Sequence, residues 1–134
     1  MAHVGEVLST GSGMALGTPS YMSPEQLSGD RIDGRSDLFS LGISLYQLVC
    51  GRLPFEAESM GQLRFRIINA AHPDIRLHDP GLPVCLAAIV DTALAKDPAS
   101  RYQDGAQMAE ALRLCLANWS ASDGQTPGRV AISN

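Results

Sequence analysis

Residues 17–26 read Gly17-Thr-Pro-Ser-Tyr-Met-Ser-Pro-Glu-Gln26, and eleven residues beyond Gln26 begins Asp37-Leu-Phe-Ser-Leu-Gly42. The first stretch ends in a strong helix start. Ser23 can cap, Pro24 suits the first helical position, and Gln26 stands where a capping box places its return partner. Gly29 ends this short helix, and 30–35 reads as a charged loop. The second stretch opens a long helix from about Asp37 to Cys50, capped by Ser36 and stopped by Gly51. Leu38, Phe39, Leu41, Ile43, Leu45, Tyr46, Leu48 and Val49 cover most of its surface. Ser40, Ser44 and Gln47 form its one polar stripe, which is uncharged. A helix apolar on nearly all sides is a buried one, so the chain is expected to be built around this element.

Beyond it, Leu53-Pro54-Phe55 breaks the chain into a loop. Ser59 caps a helix to about Asn69, with Leu63 and Ile67 inward. Residues 70–82, with Pro73, Pro80 and Gly81, read as an irregular connection. Pro83 opens a helix to about Ala95, on which Leu86, Ile89, Val90, Ala93 and Leu94 keep the 3.6-residue period. Lys96-Asp97-Pro98 stops it. Asp104 caps a last helix, about Gly105 to Asn118, with Met108, Leu112, Cys115 and Trp119 on one stripe. No strand and no internal repeat emerges. The expected fold class is all-α, helices around one central buried helix. A flexible loop is expected over 1–16, the helical unit over 17–118, and a Ser/Gly/Pro-rich disordered tail over 119–134.

A chain of 134 residues is one domain or part of one, and 45% hydrophobic residues exclude general disorder. A net charge of −4, with nine arginines, a single lysine and no basic cluster, argues against nucleic-acid binding. No apolar run reaches the ~18 residues of a membrane span, and no signal peptide is visible. Gly5, Gly11 and Gly13 do not form a phosphate cradle, because no Gly-Lys-Ser/Thr follows them. Cys50, Cys85 and Cys115 are far apart with no C-x-x-C, and read as reduced core thiols of a cytoplasmic protein rather than metal ligands.

From about Ala15 to Leu116 the chain resembles the protein kinases, most of all the eukaryotic-like serine/threonine kinases of bacteria. The resemblance rests on an ordered series: GT-x-x-Y-M-S-P-E, D-x-x-S-L-G, Y-x-L-x-x-G-x-x-P-F and L-x-K-D-P-x-x-R-Y. It implies a partial kinase C-terminal lobe, entered within the activation segment. It implies that Gly17, Thr18, Tyr21 and Met22 lie where substrate docks. The threonine matching Thr18 binds the catalytic aspartate and lysine in the family; a turn hydroxyl is its plainer role. Tyr21 and Met22 either contact the residue after the phosphorylated one or simply pack on the domain. Glu25 and Arg101 match an ion pair that anchors the segment. Asp37 matches an aspartate that accepts from the catalytic-loop backbone, or serves only as a favourable acid at a helix N-terminus. Ser9, Thr10 and Ser12 fall where related kinases are phosphorylated, although polar loop residues are the commoner explanation.

Phosphoryl transfer also needs a glycine-rich loop, a strand lysine with its helix glutamate, a His-Arg-Asp loop with a downstream asparagine, and a metal-binding Asp-Phe-Gly. None of these is in the sequence. His3, His72 and His78 are followed by Val, Pro and Asp, and none of Phe39, Phe55 and Phe65 lies between Asp and Gly. The expectation is a chain with no catalytic or metal-binding residue of its own and no cofactor, ATP and magnesium belonging to the intact kinase. Its partners would be a protein substrate or the remaining kinase portion. The alternative is a stand-alone binding module that docks substrates or a full-length kinase. The long helix is also expected to leave an apolar side uncovered.

Overall fold

The structure, a computed structural model, describes residues 18–125, with side chains placed over 19–119. The expected loop 1–16 and the residues after Gln125 lie outside the described residues. A 3-10 turn, Thr18–Tyr21, leads into α1, Pro24–Ser28. Then follow α2, Gly34–Cys50; α3, Met60–Asn69; α4, Ile75–His78; α5, Val84–Ala93; and α6, Gly105–Gln125. A second 3-10 turn, Pro98–Ser100, joins the last two. There is no strand among the described residues, and the fold is all-α.

The capping box at Ser23 is complete in both directions, with Gln26 as its second member. Gly29 and Gly51 end α1 and α2 at φ of 76° and 75°, a left-handed conformation that glycine adopts without a Cβ penalty. Helix α2 starts earlier than expected. Its cap is Asp33, whose carboxylate accepts from the Arg35 backbone N–H at 2.9 Å and also chelates the Arg35 guanidinium. Ser36 is therefore inside the helix, not at its cap.

Helix α2 is the axis of the core. Phe39, Ile43 and Tyr46 are wholly buried, and Ile89, Val90, Ala93 and Leu94 of the α5 region pack with them in one cluster. Gly42 explains how close α2 and α5 come. A Cβ built there would meet the Ala93 Cβ at 2.8 Å and the Leu94 side chain at 3.1 Å. Gly42→Ala is expected to lower stability by about 1–3 kcal/mol through overpacking. An unchanged urea midpoint would show that the helices can part at no cost. The surface of α2 is not covered all round, however: Leu41 and Leu48 are exposed, Leu48 at 81%.

Three further elements depart from the sequence reading. Within the 70–82 connection, Asp74 accepts from the Arg76 N–H and caps the start of a short helix, α4. Helix α6 does not stop at Asn118 but runs to Gln125. Trp119 packs against the core near that point, and no proline lies between it and Gln125. The cysteines are corrected as well. Cys85, in the first turn of α5, and Cys115, on the inner stripe of α6, face each other with Cα atoms 5.7 Å apart and are joined as a disulfide. The two helices bring together residues 30 apart in sequence, a register that spacing alone does not reveal. Cys50 remains a free thiol.

Candidate docking and anchoring site

The polar stripe of α2 receives the segment that precedes it. Ser40 Oγ donates to the Tyr21 carbonyl at 2.5 Å, and the Tyr21 hydroxyl donates to Gln47 Oε1 at 2.5 Å. One turn earlier, Ser36 Oγ donates to Glu25 Oε2 at 2.5 Å. Ser36, Ser40 and Gln47 lie at i, i+4 and i+11, which is one helix face. Three uncharged polar side chains of this largely apolar helix thus seat residues 21–25.

Glu25 carries the anchor. It sits in the first turn of α1, where the helix N-terminus favours a carboxylate. Arg101 meets it as a fork: Nη1 to Oε2 at 2.6 Å and Nη2 to Oε1 at 2.8 Å. The arginine side chain is 0% exposed and the glutamate 7%. The other guanidinium hydrogens are also placed. Nε donates to Ala95 O at 2.7 Å, Nη1 to Arg35 O at 3.1 Å and Nη2 to Lys96 O at 3.1 Å. An arginine has five N–H donors in a fixed fork, and here each has an acceptor. The guanidinium lies over the Phe39 ring, 4.8 Å from its centre. Burial pushes the Glu25 carboxyl up, but the hydrogen bonds from Arg101 and Ser36 outweigh it and hold the group below its ordinary 4.5.

The remaining candidates fall into separate groups. Tyr21 and Met22 are half-buried beside α2, and the Met22 N–H closes the 3-10 turn onto Pro19 O at 3.1 Å. Asp37 is half-buried in the first turn of α2, next to Ser36 in sequence, but its carboxylate takes no hydrogen bond among the described residues. Thr18 opens the 3-10 turn through its backbone. Gly17, Ser9, Thr10 and Ser12 lie outside the described residues.

Two contributors escape the sequence reading. Lys96, read there only as part of a helix stop, reaches across to the C-terminus of α3. Its Nζ donates to Ile67 O at 2.5 Å and Arg66 O at 3.3 Å and stands 4.1 Å above the Phe55 ring. Burial, with Arg101 nearby, lowers its pKa to about 8. Arg64 of α3 donates to Leu27 O at 2.9 Å, tying α3 to α1. Both contacts brace the helix that lies beside residues 18–28. A lysine at a helix C-terminus is a general signal for such a contact, but the two residues are 29 apart and the sequence does not pair them.

Residues 21–25 are held by buried hydrogen bonds, and among the described residues no group of three or more His, Cys, Asp or Glu is placed to hold a metal. A family model described as protein kinase domain matches residues 5–113. The serine/threonine-protein kinase PksC of Streptomyces coelicolor is 38% identical over 123 residues, covering 91% of this chain and 22% of that protein. The DNA damage-responsive serine/threonine-protein kinase RqkA of Deinococcus radiodurans is 41% identical over 100 residues, covering 75% and 15%. The serine/threonine-protein kinase PknJ of Mycobacterium tuberculosis is 35% identical over 126 residues, covering 92% and 21%. The chain spans about a fifth of the length of these relatives. On the extent of the family match, the chain belongs to the protein kinase domain family, of which it carries a stretch of the helical lobe.

Proposed function

We propose that this chain supplies the substrate-docking and anchoring part of a bacterial-type serine/threonine protein kinase, and that the whole enzyme transfers the ATP γ-phosphate to protein serine or threonine. The observation that carries the reading is the seating of residues 21–25 on α2 and Arg101. Such a seat holds the peptide-facing segment in one geometry, which is what phosphoryl transfer demands of the acceptor side. In this reading Gly17, Thr18, Tyr21 and Met22 face the acceptor peptide. Glu25 and Arg101 hold them in place, Asp37 is aimed at the catalytic loop, and Ser9, Thr10 and Ser12 are open to phosphorylation. Tyr21 serves by its backbone and exposed side, since its hydroxyl is already bonded to Gln47. The exposed Leu41 and Leu48 fit a face of α2 that other parts of a kinase domain would cover. The proposed partner is a protein substrate, and the proposed setting is the cytoplasm. No helix among the described residues is long and apolar enough to cross a membrane.

The residues present do not fit MgATP: the sequence has neither the glycine-rich loop nor the Asp-Phe-Gly, so no bond-making step is assigned to this chain. Two experiments test the reading. Titrating the chain with ATP and magnesium is expected to leave its melting temperature unchanged, and a saturable rise would contradict the assignment. A chimaera in which residues 15–116 replace the matching stretch of PksC is expected to phosphorylate protein serine or threonine. A folded, ATP-binding chimaera without that activity would remove the docking role.

A further inference from the structure

We propose that Cys85 and Cys115 form a reversible redox clasp, opened and closed by exchange with low-molecular-weight thiols and disulfides through Cys85, that fastens the second half of α6 to α5. Helix α6 is held by a narrow seam. Over residues 105–119, Met108 and Cys115 are buried and Ala111, Leu112 and Trp119 partly buried, while Leu114 and Leu116 on either side of Cys115 are exposed. Its first turn is secured separately, by Asp104 accepting from Gln107 N–H and by the Arg101 network just before it. Among the described residues the disulfide is the covalent tie between α6 and α5, and it sits midway along the helix.

The two sulfurs are not equivalent. Cys115 is 3% exposed, whereas Cys85 is only partly buried. Cys85 also lies in the first turn of α5, whose cap is Pro83 and makes no side-chain hydrogen bond. A helix N-terminus favours a thiolate near it, and the partial exposure of Cys85 lets an external thiol or disulfide reach it. In the closing direction the Cys85 thiolate attacks an external disulfide, forming a mixed disulfide and expelling one external thiolate. Cys115 then gives up its proton to solvent and attacks the Cys85 sulfur, forming the internal bond and expelling the second thiolate. Two protein thiols are oxidised and one external disulfide is reduced to two thiols. Opening is the reverse, begun by an external thiolate at Cys85. Disulfides in reducing compartments tend to be transient and redox-sensing, which suits a clasp of this kind.

The test uses the full chain carrying Cys50→Ser, equilibrated in glutathione buffers of varied ratio, quenched with an alkylating agent and weighed intact. The expected result is one transition from two alkylated cysteines to none. Hydrogen exchange over residues 112–119 should slow on the order of a hundredfold on closing, with residues 21–28 unaffected. With Cys115→Ser added, Cys85 should stop as a glutathione adduct. With Cys85→Ser instead, Cys115 should resist modification. The clasp is overturned if both cysteines alkylate at every ratio, if the bond persists in reduced glutathione alone, if exchange over 112–119 is the same in both states, or if Cys115 takes the adduct as readily as Cys85.

Discussion

Arg101→Ala is expected to destabilise the fold by about 3–5 kcal/mol, because it leaves the Glu25 carboxylate buried without its counter-charge. The loss extends beyond one ion pair. Arg101 also satisfies the carbonyls of Ala95, Lys96 and Arg35, which belong to the end of the α5 region and the start of α2. Arg101→Lys should recover little, since an ammonium cannot reproduce the fork. Glu25→Gln should cost less than Arg101→Ala, because an amide still accepts from Ser36 and Arg101. It should also change the acid limb of the stability profile. The folded Glu25 titrates below its ordinary 4.5, so its contribution is complete above that value and fades as pH falls through the lower folded value. In Glu25→Gln this part of the acid loss should vanish. Urea midpoints at neutral and acid pH would check both points. Equal stability of Arg101→Ala and wild type at pH 7 would reject the anchor.

Phe39→Ala is expected to cost a similar ~3–5 kcal/mol. Phe39 is 0% exposed, stacks on Phe55 with ring centres 6.3 Å apart, and carries the Arg101 guanidinium on its other contact. Truncation opens a cavity beside the core and removes the surface against which the arginine fork is held. Phe39→Leu retains much of the volume and should cost clearly less. Because Phe39 and Arg101 touch, their alanine substitutions should not add; the double variant should lose less than the sum. Strict additivity in chemical denaturation would mean that the ring does not position the guanidinium.

The parts of this architecture legible in the sequence are those written locally. The α1 start was carried by Ser23, Pro24 and Gln26, the stops by Gly29 and Gly51, and the α3 start by Ser59, whose Oγ accepts from Gln62 N–H. Helix α2 was visible from its apolar surface. Its first residue was not, because Asp33 and Ser36 are both competent caps and only the Asp33–Arg35 chelate decides between them. The polar stripe legible in the sequence is Ser40, Ser44 and Gln47, with Ser36 as the cap; the structure uses Ser36, Ser40 and Gln47, and nothing local says that Tyr21 and Glu25 dock there. Pairing Glu25 with Arg101, 76 residues apart, needed a family resemblance, since periodicity has no term for it. Cys85 and Cys115 were misread because burial and spacing suit a reduced thiol equally well. Only the relative rotation of α5 and α6 turns the two sulfurs together. Lys96 was hidden for the same reason, its acceptors lying on a helix distant in sequence.

The central claim is that residues 21–28 are held in place by α2 and Arg101 rather than by the general stability of the fold. Hydrogen exchange followed by mass spectrometry, comparing wild type with Arg101→Met under conditions where both remain folded, tests it most directly. The account expects amides of residues 21–28 to lose protection strongly in the variant while those of α5 stay protected. Equal protection of 21–28 in the two proteins, or a loss spread evenly over α2 and α5, would contradict it.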